Sequence, residues 1–460
     1  MNIKHINLYL IIGIILNLVL CGAFQSNIFT KNPSIEKRSI LNLDNSLIYN
    51  TISSEKSITW GGVEYDSVTD LAIDSLDNVY LSGHSTYYEN GSSNSFGNLI
   101  KFNRFGIEQW NYSWTGNRSN YFYSLGVDSS DNVYLGGITN NFYKEYNEST
   151  GVKKEDIILI KFNNLGTQLW NKTWGGNCSE YCFDIKIDQS DNIYLLAVSE
   201  ISEENRTCFL LKFNDIGIMQ CSQMLISNTS INYVKVSLDH LGNIYVAGNI
   251  YDTESGDIDI CIAKYDPFGT ELWFCIWGND TSKEWFADMI LNSQGSVYIL
   301  SNLEKEGNYD ICLIEFSSSG EYRLNHIWGG VEYDEGSSLA LDSFENIYIA
   351  GTTYSFITGY YGYPDICLLK YDINGNLKWN RTYGDNQIEM CHALGLSSDN
   401  NNIYIAGEKY FFGRPDCDVL LIIIPNKVLT LIPIYILILV FFIPALCLIV
   451  LILVLNKFRK

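Results

Sequence analysis

The chain has 460 residues, enough for one large domain or up to three ordinary ones. It carries 30 Lys+Arg against 52 Asp+Glu, a net charge of −22. That balance excludes nucleic acid as a partner and suits metal ions or cationic partners. Abundant Tyr and Asn with scarce Pro reads as strands joined by tight turns.

In chain order, residues 1–23 read as a secretory signal peptide. Lys4 precedes an apolar run from Ile6 to Leu20, and Cys21, Gly22 and Ala23 form a small-residue exit. An uncleaved anchor and lipidation at Cys21 are the alternatives, and the bulky Leu20 disfavours the second. Residues 24–51 are a leader.

Residues 52–426 repeat one phrase. Its marker tyrosines are Tyr80, Tyr134, Tyr194, Tyr245, Tyr298, Tyr348 and Tyr404, spaced by 54, 60, 51, 53, 50 and 56 residues. In the first unit, Asp70 to Asp74 is a short strand, Ser75 to Asn78 a turn and Val79 to Gly83 a second strand. A variable loop from His84 to Gly97 leads to a third strand, Asn98 to Phe102. A turn and a fourth strand, Ile107 to Trp114, complete the unit. Four antiparallel strands per unit make a propeller blade. The expected fold is therefore all-β: a seven-bladed β-propeller of four-stranded antiparallel blades.

The seventh unit lacks a fourth strand. Ser53 to Trp60 precedes the first unit and ends in the right aromatic, so this N-terminal strand is expected to close the ring and remove an open edge. Trp60, Trp110, Trp170, Trp273 and Trp379 are expected to wedge between blades. Each would bury about 150–250 Å², roughly 4–6 kcal/mol gross.

Residues 427–455 follow. The run from Val428 to Leu455 carries no charge and exceeds what a membrane helix needs. Lys457, Arg459 and Lys460 lie in the tail, residues 456–460, and place it in the cytoplasm. The expected localisation is a single-pass cell-membrane protein with its large domain outside. The blade-seven third strand runs into this segment, so the hairpin face should sit toward the membrane. The long loops should then look outward, including 139–155 and 352–364.

The repeat resembles the SBBP class of seven-bladed propeller repeats. The resemblance rests on "WGGVEYDSVTDLAIDSLDNVYLSG" (Trp60 to Gly83) and "WGGVEYDEGSSLALDSFENIYIAG" (Trp328 to Gly351). It covers about residues 52–426 and implies the fold, not an activity. Units three to five depart most: Leu225 replaces the opening Trp of unit four and Cys221 the fourth-strand Trp of unit three. Looser packing is expected there.

Acidic residues recur at two loop-face positions. Asp156, Asp259, Asp310, Asp365 and Asp418 precede third strands; Asp66, Glu180, Glu284, Asp334 and Glu389 open first strands. Such oxygens can hold Ca²⁺ or act as loop caps. The metal candidates are Asp66, Asp334, Asp156, Asp259, Asp310 and Asp365; otherwise no cofactor is required. Asn111, Asn171 and Asn380, in "WNYSW", "WNKTW" and "WNRTY", are the glycosylation candidates, on an outer edge strand. Ten cysteines lie in the exported part. Cys261, Cys312 and Cys367 read as small buried residues, and Cys178 and Cys182 are close enough to pair.

No catalytic residue is assigned. The histidines have no metal-type spacing, and GxSxG, HExxH, CxxC and phosphate loops are absent. The first functional expectation is a surface binding or adhesion scaffold whose outward loops meet an extracellular protein or glycan. The alternatives are an enzyme of the quinoprotein-dehydrogenase type, suggested by "FNNLGTQLW", and a purely structural envelope component. The quinoprotein resemblance implies eight blades.

Overall fold

The computed structural model describes residues 55–426 apart from 90–91, 116–118, 141–154, 177, 203–204, 227–229, 253, 280, 358–361 and 415. The expected signal peptide, leader, transmembrane helix and tail lie outside the described residues. Among the described residues, no helix is long and apolar enough to cross a membrane.

The chain opens with β1 (Lys56–Trp60). Blade one is β2 (Tyr65–Ile73), β3 (Val79–Glu89), β4 (Ser92–Phe102) and β5 (Glu108–Trp114). Blade two is β6 (Asn120–Val127), β7 (Val133–Thr139), β8 (Asp156–Phe162) and β9 (Gln168–Trp174). Blade three is β10 (Ser179–Ile187), β11 (Ile193–Ser202), β12 (Asn205–Phe213) and β13 (Met219–Ile226). Blade four is β14 (Ile231–Leu238), β15 (Ile244–Tyr251), β16 (Ile258–Tyr265) and β17 (Glu271–Trp277). Blade five is β18 (Lys283–Leu291), β19 (Val297–Lys305), β20 (Asn308–Phe316) and β21 (Tyr322–Trp328). Blade six is β22 (Asp334–Leu341), β23 (Ile347–Thr353), β24 (Asp365–Tyr371) and β25 (Leu377–Tyr383). Blade seven is β26 (Ile388–Leu396), β27 (Asn402–Tyr410) and β28 (Cys417–Pro425), completed by β1. The register runs from Lys56 opposite Ile423 to Trp60 opposite Val419, the closure expected from the sequence.

The recurring turn phrase has a bonding reason. In blade one the Asp74 carboxylate accepts the N–H groups of Leu76 and Asn78 at 3.0 and 2.8 Å, and the Tyr80 hydroxyl at 3.1 Å. Lys101, from the third strand, lies 3.3 Å away and sits over the Tyr80 ring. Asp128, Asn132, Tyr134 and Lys161 repeat the arrangement in blade two, and Asp342, Asn346, Tyr348 and Lys370 in blade six. One buried carboxylate thus fixes both a turn and a cross-strand pair.

Adjacent blades are tied at the same level. Ser75 donates to Asp131 of the next turn at 2.8 Å, Ser129 to Asp191 at 2.8 Å, and Ser398 of blade seven to Asp77 of blade one at 3.0 Å. The indole N–H groups of Trp110, Trp170 and Trp273 donate to the carbonyls of Asn164, Asp215 and Ser318 on the neighbouring outer turn. Trp379 has no such turn beside it, because β28 and β1 are separate segments. At the junction of blades seven and one, Lys56 of β1 stands where the other outer strands carry the indole and reaches the Phe105 carbonyl at 2.7 Å. These indoles are half-buried, so their apolar contribution falls below the full-burial figure. Trp60 occupies a different register, at the loop end of its strand beside the blade-one core.

Apolar cores fill the blade junctions. One joins Val68, Leu81 and Ile100 of blade one to Tyr404, Ala406 and Leu421 of blade seven. Burying each such Val or Leu contributes about 1.5–3 kcal/mol. At the junction of blades three and four, Tyr194, Leu196, Tyr233 and Val246 pack into a buried core. Gln223 replaces the missing indole donor and reaches the Gly269 carbonyl. Cys261, Cys312 and Cys367 are fully buried as expected, and Cys178 and Cys182 are free thiols.

Two local expectations change. The first strand of blade one begins at Tyr65 rather than Asp70. The segment from His84 to Gly97 is not a loop. β3 and β4 stay paired out to Glu89 opposite Ser92, where Thr86, Tyr87, Tyr88 and Phe96 suit an extended ladder. Each first strand carries a bulge, between Val68 and Asp70 in blade one. The bulge drives the Ser67 carbonyl against Gly83, where a Cβ would lie 1.9 Å from it. That contact explains the recurring second-strand glycine.

Candidate functional site

The two acidic sets meet pairwise across blade junctions. At the junction of blades four and five, Glu284 and Asp259 hydrogen-bond to each other. A Cβ on Gly278 would lie 1.7 Å from Asp259 Oδ1 and 2.6 Å from Glu284 Oε2, so only glycine fits beside the pair. Burial pushes the Glu284 carboxyl up, to about 7, with Asp259 adding to the rise. Asp66 faces Asp418, Asp156 lies with Glu180 against Gly175, and Asp310 feels the charge of Asp334. Burial raises Asp66, Asp156, Asp310 and Glu389 as well. Asp365 packs against Gly384, five residues before Glu389, which opens the first strand of the next blade.

The first-strand acids also cap loops. Gly62 N–H donates to Asp66 at 2.9 Å, Gly176 N–H to Glu180 at 3.1 Å, and Gly330 N–H to Asp334 at 2.7 Å. Ser85 and Thr353 donate to the other oxygens of Asp66 and Asp334. Among the described residues, no three His, Cys, Asp or Glu side chains converge as metal ligands. Five of the seven junctions offer such a pair, whereas Ca²⁺ takes 6–8 oxygens. Asn111, Asn171 and Asn380 lie on the outer strands β5, β9 and β25. Asn111 and Asn380 are exposed there, Asn171 partly so.

A second polar group lies at the inner strands, where sequence reading assigned nothing. Asp70 accepts Leu125 N–H at 2.9 Å and the Ser124 hydroxyl at 3.0 Å. Ser124 Oγ also lies 3.0 Å from Asp184, so its one proton is shared between the two carboxylates, and Asp184 accepts Val236 N–H. Lys235 lies 3.7 Å from both Asp184 and Asp288, and Asp288 accepts Leu339 N–H and the Ser338 hydroxyl. Burial alone would lower Lys235, but the three carboxylates outweigh it and hold the ammonium charged. This belt ties blades one to six across their inner strands. Asp70, Ser124, Asp184, Lys235, Asp288 and Ser338 all stand ten residues before a marker tyrosine, a signal that would have found them.

The loop face carries the groups that solvent reaches. A cleft of about 590 Å³ between blades four and five is walled by Asp252, Asp257, Asp259, Glu304 and Glu306, with Lys283 the cation among its lining residues. Glu304 accepts the Trp285 indole N–H at 2.8 Å and the Tyr309 hydroxyl at 3.0 Å, and the Trp285 bond leads in holding its carboxyl low. Tyr309 stacks on Tyr333 at 5.4 Å, and Tyr354 meets Tyr333 edge-on at 6.2 Å. Phe356 lies 4.8 Å from Trp328. Tyr333, Tyr354 and Phe356 remain about 40 % exposed.

Near the junction of blades seven and one, His392 Nε2 lies 3.4 Å from the buried Glu408 carboxylate. Tyr410 donates to Glu408 at 2.8 Å, and Tyr65 hydrogen-bonds Tyr410. Burial pushes Glu408 up, but bonds from His392, Ser67 and Tyr410 win and hold it at about 2. His84 packs edge-on against Tyr121 at 4.9 Å, and burial lowers its imidazole. His240 and His326 lie elsewhere, on a hairpin turn and an outer strand.

Residues 327–357, from the end of β21 through β23, match the SBBP β-propeller repeat model. This stretch carries one SBBP-type repeat. No curated protein matches the chain. Among solved structures, the propeller is similar to polysaccharide lyase Uly1, at 8 % identity and TM-score 0.51, over 81 % of this chain and 99 % of that one. It is also similar to an ulvan lyase bound to -[GlcA(1-4)Rha3S]-, at 11 % identity and TM-score 0.51, over 80 % and 96 %. At these identities the likeness is one of fold.

Proposed function

We propose that the SBBP propeller is a binding module, exported and held at a cell membrane by residues 427–455, that presents its loop face to a glycan. The observation that carries this reading is the row Tyr309, Tyr333 and Tyr354 beside Glu304. Half-exposed aromatic faces offer flat apolar surface for the C–H face of a sugar, and adjacent carboxylates accept its hydroxyls. The acidic cleft and the net charge of −22 disfavour polyanions, so the ligand is neutral or cationic. Ordered loops on a rigid ring are where such recognition is normally built. A glycan array probed with the full chain and with Tyr333→Ala and Tyr354→Ala tests it. Binding to neutral or amino-sugar glycans that weakens at least tenfold in both variants is expected. Undiminished binding in both would refute the assignment.

A second reading is an enzyme acting on polysaccharide, favoured by the His392–Glu408 pair. A buried carboxylate that orients an imidazole beside two phenols is a constellation able to move protons. The ulvan lyase of similar fold binds a glucuronate-containing chain. The acidity of this chain opposes such a substrate, which ranks the reading second. Release of unsaturated sugar from uronate polysaccharides, abolished by His392→Ala, would reverse the ranking. The quinoprotein alternative loses ground, since the ring has seven blades rather than eight.

A further inference from the structure

We propose that the hairpin face of the propeller rests directly on a lipid surface, with apolar turn tips reaching into it. This inference rests on the membrane-anchored reading above and adds a contact to it. Tight turns normally display polar residues at their tips. Here the third turn position is apolar and exposed in five blades. Leu76, Leu241 and Phe344 occupy it between first and second strands; Phe105, Leu165, Ile216 and Phe268 occupy it between third and fourth strands. Exposure reaches 91 % at Phe268, 78 % at Leu165 and 76 % at Phe344.

The turn chemistry accounts for the other positions. Asn103 and Asp266 accept backbone N–H groups at the first, and Gly106 and Gly269 take positive φ at the fourth. Nothing in it calls for an apolar third residue. All seven tips lie on one face, since every such turn joins strand ends at the same end of its blade.

The place where the chain leaves the ring selects the occupant. β28 ends at Pro425 on this same face, where Asn426 N–H donates to the Asn401 carbonyl at 2.7 Å and its side chain to Tyr348 at 2.9 Å. Two residues later begins the uncharged run 428–455. A bilayer that takes up that run lies against the face it leaves from. Apolar and aromatic tips are suited to the headgroup boundary. Four carboxylates on this face are engaged within it, Asp131, Asp191 and Asp77 by serines and Asp74 by Lys101, while Asp215 stands exposed beside the Ile216 tip. The face is not cationic, so it fits zwitterionic rather than anionic lipid.

The test places the full chain in phosphatidylcholine vesicles with and without brominated phosphatidylcholine, and reads the extra emission of single tryptophan variants. Leu165→Trp and Phe268→Trp probe the tips, Val331→Trp the loop face and Leu439→Trp the apolar run. Both tip variants are expected to be quenched comparably to Leu439→Trp, with Val331→Trp unaffected. Quenching at Leu439→Trp alone would overturn the lipid contact and leave the anchor standing. Quenching at none would overturn both. Equal quenching at Val331→Trp would overturn the facing. A second copy covering the tips would leave them unquenched in a chain that sediments as a dimer, and would likewise overturn the lipid assignment.

Discussion

The paired carboxyls make an unusual demand on pH. Asp66, Asp156, Glu284, Asp310 and Glu389 are raised by burial, Glu284 to about 7 from an ordinary 4.5. A group whose folded pKa is raised binds its proton more tightly in the native state. Its contribution is complete below the unfolded pKa and is lost as pH rises through the folded value. The turn carboxylates work the other way. Burial would raise Asp128 and Asp239, but bonds from Asn132 and Asn243 outweigh it and lower them. Their contribution is present above the ordinary carboxylate value and is lost as pH falls through the lowered one. Stability is therefore expected to peak in the mildly acid range and to decline as pH approaches and passes 7.

Glu284→Gln isolates one junction. Glu284 accepts the Ser282 hydroxyl at 2.6 Å and the Asn279 amide at 3.2 Å. A glutamine carbonyl keeps both bonds, and its NH₂ can donate to Asp259 where the shared proton stood. The charged pair withholds of order 2–3 kcal/mol at pH 8, at about 1.4 kcal/mol per pH decade. For a domain this long that is roughly 2–6 °C in Tm. Thermal melts of the full chain by circular dichroism at pH 5 to 8 give the comparison. The variant should match the parent at pH 5 and exceed it by that amount at pH 8, flattening the curve. A constant offset at every pH, or a variant less stable at pH 8, would refute the reasoning.

Deleting residues 52–60 removes β1 from blade seven together with the Lys56 bond to Phe105; the single cooperative melt should be lost, and a truncated chain melting like the parent would contradict the closure. Trp273→Phe removes the indole bond to Ser318 at 3.2 Å and should cost about 1 kcal/mol, while Trp273→Ala should cost about 2–4 kcal/mol, both read from urea midpoints. Chelator should shift Tm no more than replacing Ca²⁺ by Mg²⁺ does, since no paired junction supplies more than two of these carboxylates. A Ca²⁺-specific rise lost in Asp334→Asn and Asp365→Asn would establish a metal site.

The fold was legible because the repeat states its own bonding. Asp, Asn, Tyr and Lys recur at fixed offsets, and each offset corresponds to one bond in the turn quartet. Ring closure was legible from one missing strand and one surplus strand. The extended β3–β4 ladder was not, since its Ser, Asn and Gly suit a loop in composition while Thr86, Tyr87, Tyr88 and Phe96 suit a strand. Lys56 and Gln223 hid because each replaces an indole donor with an unrelated side chain that reaches a neighbouring turn carbonyl.

The site was less legible because rings do not bring like positions together. Equivalent residues of different blades stand apart around the circumference, so five aligned aspartates need not converge on one ion. What meets is the third-strand acid of one blade and the first-strand acid of the next, two different positions in the repeat. Only near the axis do equivalent residues approach, and there the belt mixes Asp, Ser and Lys, so no single residue type recurs to draw notice. His392 and Glu408 escape for a related reason. They lie 16 residues apart with no motif spacing. A bulge between Cys391 and Ala393 places His392 outside the regular register, while Glu408 pairs with Met390 beside it. A repeat therefore advertises what every blade shares. A binding or proton-moving site is built from what individual blades do not share, and is read from the pairing of neighbours.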